Sequence, residues 1–320
     1  WLPKNCTPEH CEKIKKMMTT KKLITSDDPK GRQTTDLFRG AYNKARLTEE
    51  QAQYLNENRG SEFTTELLRL IQRHSSTDQY ANDVASSDYT YPKEYKGPKP
   101  IAEQVKTIAT MFGLDPTAAL AFAKNLPTLP VGAEGWFAIP KVSPIVTKEM
   151  PYITDKAEQY CEGVMLVCTK LAKSRSFLNF IEGDIVPQKL RQHARTINFL
   201  ENLEAEQTGD ILIIAAQFGR CHRGKSVRRV RKILKSNEFG LGAFATGCMA
   251  LIHPERYSDS SERNLFGTYC IGDDFDYSNR KGTFLDVPLF SYKNKLCISH
   301  NSISSFPCAY GSVSAFVPQN

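Results

Sequence analysis

An α+β fold, or its mixed α/β variant, is predicted by three features of the 320-residue chain. Apolar residues recur at helical spacing up to about residue 75 and again in several later segments. A short unpatterned apolar run, Ile211–Ala216, has the composition of a central strand, and from Leu265 onward the chain breaks into short β-like pieces. The expected organisation is a helical N-terminal region, residues 1–95, ending in a linker at about 77–100. A larger domain, 96–320, follows, with a central sheet flanked by helices. Apolar content of 40% and charged content of 24% are those of an ordinary soluble globular protein. No apolar run approaches the roughly 20 residues that cross a bilayer. Nine cysteines without a dense framework read as free thiols in a reducing compartment, so the cytoplasm is the expected location.

Taken in order, Thr7-Pro8 supplies a helix start before Cys11–Met18. Cys6, His10 and Cys11 lie close together, but a structural zinc site needs four ligands and no second pair is near. Thr48-Glu49-Glu50-Gln51 has the capping-box arrangement, which predicts a helix ending near Gly60. The next helix carries Phe63, Leu67, Leu68, Leu70 and Ile71 and stops at His74-Ser75-Ser76. The aperiodic Tyr, Ser, Asp and Pro content up to Pro100 marks the linker.

Ile101–Leu126 has the spacing of a helix-turn-helix around Gly113. Its second helix, with Thr117, Ala118, Ala121 and Lys124, offers little to read base edges, so a core αα-hairpin is the better expectation. Pro127–Pro144 reads as an ordered connection anchored by Trp136 and Phe137. Thr154–Ser174 reads as a helix with Tyr160, Val164, Val167 and Leu171 inward, and Pro187–Gln207 as another, with His193 on its polar face. Ala243–Ile252 (AFATGCMALI) reads as a buried helix ended by His253-Pro254.

Charge points to function. Between Arg220 and Lys232 stand Arg220, Arg223, Lys225, Arg228, Arg229, Arg231 and Lys232, with no acidic residue among them. Removing these seven from the 42 basic residues leaves 35, equal to the 35 acidic ones, so the whole net charge of +7 sits in one segment. The same segment contains Gly219-Arg220-Cys221-His222-Arg223-Gly224-Lys225-Ser226, which fits G-x-x-x-x-G-K-[ST] between an expected strand and an expected helix.

Three readings follow. The first is an intracellular binding protein contacting nucleic acid or another polyphosphate through this basic loop and helix, without evident catalysis. The second is a phosphate-substrate enzyme, with Lys225 and Ser226 on phosphate and Asp273 or Asp274 on a metal, or a P-loop-like nucleotide-binding protein, in which Lys225 reaches phosphate and Ser226 holds Mg²⁺, the only cofactor then implied. Bulky Arg and His inside the loop and the lack of further parallel strands count against it. The third is a structural assembly component. As metal ligands, Asp273 and Asp274, near Asp276 and Asn279, are weak candidates lacking a complete EF-hand pattern. Cys270, Cys297, His300 and Cys308 are too dispersed for a confident zinc site. A Cys221–His222 nucleophile pair is disfavoured because sequence neighbours point apart.

Overall fold

The computed structural model describes residues 24–75, 79–258, 264–277 and 282–318. The helix expected at Cys11–Met18, the Cys6, His10 and Cys11 group, and Asn279 lie outside them. The chain divides into two compact units, Trp1–Ser76 and Thr77–Asn320.

The described part of the first unit is three helices, α1 (Pro29–Ala45), α2 (Glu49–Asn58) and α3 (Gly60–Ser75). The capping box is present: Thr48 accepts from the Gln51 amide, and the Gln51 side chain accepts from the Thr48 amide. Gly60 starts α3 directly after α2 ends. Among the described residues of this unit no apolar side chain is buried.

In the second unit α4 (Ile101–Phe112) and α5 (Thr117–Phe122) form the αα-hairpin, with Gly113 left-handed at φ 64° as the cap of α4. The hairpin is built into the core: buried Gln104 donates to the Trp136 carbonyl (2.9 Å) and accepts from the Ala138 amide (3.1 Å). Those two residues belong to β1 (Gly135–Pro140), a strand inside the segment expected to be a plain connection. The remaining elements are α6 (Val142–Glu149), α7 (Lys156–Ser174), β2 (Phe177–Asn179), β3 (Leu190–Gln192), α8 (Ala194–Glu206), β4 (Ile211–Gln217), α9 (Val227–Ile233) and β5 (Glu238–Gly240). They continue with α10 (Ala243–Ile252), β6 (Gly267–Tyr269), β7 (Asp273–Phe275), β8 (Asp286–Lys293), β9 (Lys295–Ser302), β10 (Tyr310–Ser312) and β11 (Ser314–Phe316).

One sheet has the order β1-β4-β11-β5, all antiparallel. Every residue of β4 is buried, as its unpatterned apolar run requires of a strand covered on both faces. The second sheet is built on β8, which pairs with β9 along one edge and with β6 and β7 on the other. β10 extends from β6, β3 from β7 and β2 from β9. Fully buried α10 packs on α7, β1 and β8 and so serves both sheets. Its small residues allow this approach: a Cβ on Gly247 would lie 2.5 Å from a Val167 methyl. The two sheets and these helices make the α+β fold.

Two expectations change. The helix expected from Pro187 begins only at Ala194, because Leu190–Gln192 pairs with β7 and His193 caps the helix, its Nδ1 accepting from the Arg195 amide (3.3 Å). The segment expected as a linker is ordered from residue 79 onward: Tyr91 and Tyr95 are core residues of the larger unit. We call 79–97 the strap.

Candidate polyanion-binding groove

The strap lies against the basic loop. Val84 and Lys225 form an antiparallel bridge, with the Ala85 amide donating to Gly224 O (2.7 Å) and the Ser226 amide to Asp83 O (3.1 Å). The loop is set at the end of β4 by Gln217. Its buried Oε1 accepts from the Gly219 (2.7 Å) and Cys221 (3.3 Å) amides, while its Nε2 donates to Ser312 O and Ser314 Oγ. Gly219 takes φ 121°, open to glycine and strained for other residues, which turns the chain out of the strand.

The loop's amides decide what it can bind. Those of Gly219, Arg220, Cys221, His222, Arg223, Gly224 and Ser226, seven of the eight, donate to acceptors of the protein itself. A phosphate cradle needs such amides directed at the ligand. Ser226 is fully buried: its Oγ donates to Asp83 Oδ2 (2.8 Å) and caps α9 by accepting from the Arg229 amide (3.1 Å), so its hydroxyl serves the fold rather than facing a ligand. The neighbours of β4 are antiparallel rather than parallel. The motif's spacing is present without the geometry that gives it chemistry.

The basic side chains divide into two sets. On α9, Arg228 clamps Asp83 through Nε (2.6 Å) and Nη2 (3.3 Å) and lies 4.7 Å over the Tyr80 ring. Its guanidinium beside Asp83 holds that carboxyl below its ordinary value. Arg231 turns inward, donating to Ile271 O (3.1 Å) and Asp273 O and pairing with Asp274 (2.9 Å). Arg229 is half-buried and Lys232 is exposed on the same helix. Asp83 and Asp274 thus engage two of the arginines of this helix.

Arg220, Arg223 and Lys225 form the second set and line a groove of about 1090 Å³, joined there by Lys93 and Lys96 of the strap. Arg220 lies 5.5 Å over the Tyr91 ring, and Arg223 Nε donates to Ser87 O (2.9 Å). Among the described residues, Glu134 is the one acidic residue in the lining. Burial raises its carboxyl, opposed by hydrogen bonds from Tyr91 Oη and the Phe218 amide and by Arg256 and Arg220. Tyr91 Oη in turn accepts from the Arg220 amide (2.9 Å), tying strap to loop.

Cys221 faces out while His222 is buried against Glu238 (Nε2 to Oε1, 2.6 Å), so the two point apart. Burial raises the Cys221 thiol, away from an activated nucleophile. Asp273 and Asp274 are neighbours on a strand and project to opposite faces. Asp273 accepts from Tyr160 Oη (2.6 Å) and the Ala243 amide (2.6 Å), while Asp274 holds Arg191 and Arg231. Asp276 accepts from Gly282 N and Thr283 Oγ1. Among the described residues no group of three or more His, Cys, Asp or Glu converges on a metal position, which covers Cys270, Cys297, His300 and Cys308. Among them, too, no helix is long and apolar enough to cross a membrane. Comparison with family models, curated proteins and solved structures finds no match.

Proposed function

We propose that this protein binds a phosphate-bearing polyanion in the groove between the strap and the Gly219–Lys225 loop. The observation that carries this reading is the lining: Lys93, Lys96, Arg220, Arg223 and Lys225 against one acidic residue among those described, the half-buried Glu134. Converging cations at a concave, partly desolvated surface hold anions more strongly than the same charges spread over a convex one. The ligand is a compact polyphosphate or nucleotide rather than a long nucleic-acid strand. Single strands are held largely by stacking bases on aromatic faces. Here Arg220 and Arg256 both lie over the Tyr91 ring, and Tyr95 is packed against Tyr91, Phe218 and His253. Two arginines that would extend a basic track, Arg228 and Arg231, are engaged with Asp83 and Asp274. The reading assigns no catalytic step.

Titration of tripolyphosphate and of a short oligonucleotide into the full chain at two salt concentrations tests it. Binding of tripolyphosphate should weaken as salt rises, and Lys96→Glu combined with Lys225→Glu should weaken it about tenfold or more, about 1.4 kcal/mol. Arg231→Ala separates site from scaffold. Losing this paired, largely buried guanidinium should cost about 3 kcal/mol of stability, with tripolyphosphate affinity unchanged in the folded fraction. Salt-independent binding, or affinity that follows Arg231 rather than Lys96 and Lys225, rules the groove out.

A further inference from the structure

The second sheet has a face that the described residues of the Thr77–Asn320 unit cover only in part. On that face, Tyr269, Ile271, Val287 and Leu289 are sealed by Val227 and Val230 of α9. Strand alternation and the registers Ser291 to Cys297 and Leu289 to Ser299 place Ser291, Lys293, Lys295, Cys297 and Ser299 on the same face, and Leu178 joins it through its pairing with Cys297. Helix α9 ends at Ile233, and over this second half the face is an open groove of about 650 Å³.

Its chemistry is two-part. Phe180, Leu178 and Phe266, exposed by 65%, 41% and 37%, line it together with Tyr310, while the Tyr292 ring packs toward the main core on the opposite face. The Tyr310 ring lies over Gly267, where a Cβ would sit 2.9 Å from ring atoms. The floor makes little demand for polar ligand atoms, because the Ser291 hydroxyl and Cys297 thiol bond each other (3.0 Å). At one end stand Lys293 and Lys295, flanking the Asn294 turn (φ 66°), both exposed, and among the described residues no acidic one lines the groove. Large apolar side chains gathered in a concavity mark a binding surface rather than ordinary exposure.

We propose that this groove binds an amphipathic anion, an alkyl chain of medium length with a carboxylate or similar head. The chain lies over Leu178, Phe180, Phe266 and Tyr310, and the head pairs with Lys293 and Lys295. Charge complementarity selects this occupant over a neutral apolar one, and the lining shares no residue with that of the polyanion groove, although Tyr310 O accepts from the Gly224 amide of the basic loop (2.8 Å).

Calorimetric titration of decanoate, below its aggregation concentration, into the full chain tests the assignment, with decanol as the uncharged match. Saturable one-to-one binding of decanoate is expected, with decanol about tenfold weaker or more. Lys293→Glu combined with Lys295→Glu should weaken decanoate by a similar factor without affecting decanol. Phe180→Asp, at an exposed position, should weaken both while leaving the melting temperature in place. No saturable decanoate binding, equal affinity for decanol, or indifference to both sets of variants overturns the proposal.

Discussion

Replacing Arg256 by alanine should cost about 3–5 kcal/mol of stability and lower the melting temperature by on the order of 10 °C. The guanidinium is fully buried in an aromatic cage: its centre lies 4.5 Å from the Tyr91 ring centroid, 4.8 Å from Tyr257 and 5.6 Å from Phe218. It donates to Leu265 O (3.1 Å), Thr268 Oγ1 (3.1 Å) and Phe218 O (3.4 Å). Truncation would open a cavity, leave buried carbonyls short of a donor, and remove a cation that favours ionisation of Glu134. Arg256→Lys should recover only part of the loss, because an ammonium keeps the charge but neither stacks as a plane nor reaches three acceptors. Arg256→Met separates charge from volume, since an apolar side chain of similar size often replaces a buried ion at little cost. Urea denaturation of the three variants checks this. A loss below about 1 kcal/mol for Arg256→Ala would show that the cage, not the cation, carries the stability.

Arg256 also shows where sequence reading stops. In Pro254-Glu255-Arg256-Tyr257 nothing separates it from an ordinary surface arginine; its partners come from the strap, from the end of β4 and from β6. Elements held by local rules were legible: the Thr48 capping box, the apolar stripe of α7, the apolar run Ile211–Ala216 of β4 and the small-residue helix α10. Elements held by distant pairing were not. Strand β1 lies among prolines and glycines that read as a connection, and it exists because it lies beside β4. Strands β3 and β7 have three residues each, too few for a periodic signal, and they stabilise each other across 83 positions from Arg191 to Asp274.

The candidate site was half legible for the same reason. The charge excess did place Arg220, Arg223 and Lys225. Which cations remain available for a ligand depends on Asp83, 145 positions before Arg228, and on Asp274 opposite Arg231. The five groove cations include two, Lys93 and Lys96, from a stretch whose tyrosine and proline content read as linker. The tyrosines are why that stretch is ordered: Tyr91 and Tyr95 bury their rings in the core, and the lysines beside them are carried to the groove.

Asp273 gives the second large effect, in pH dependence. Its carboxyl is completely buried, and burial pushes it up to about 7 despite the Ala243 amide and Tyr160 hydroxyl that hydrogen-bond it; Asp274 adds to the rise and Arg231 opposes it. A carboxyl raised on folding binds its proton more tightly in the native than in the unfolded chain. The resulting stability is fully present below the unfolded value near 4 and is lost as pH rises through about 7. The stability difference between the wild type and Asp273→Asn, which cannot titrate, should therefore fall by about 1.4 kcal/mol per pH unit across that window, at most about 4 kcal/mol in all, and be flat above it. Urea melts of both proteins at half-unit pH intervals measure the slope. Tyr160→Phe removes a donor that favours the carboxylate, so it should extend the falling region to higher pH. A difference that rises with pH instead would mean that Asp273 is ionised, held by Arg231 and by the amide at the start of α10. The field of that helix end would then outweigh the cost of burial.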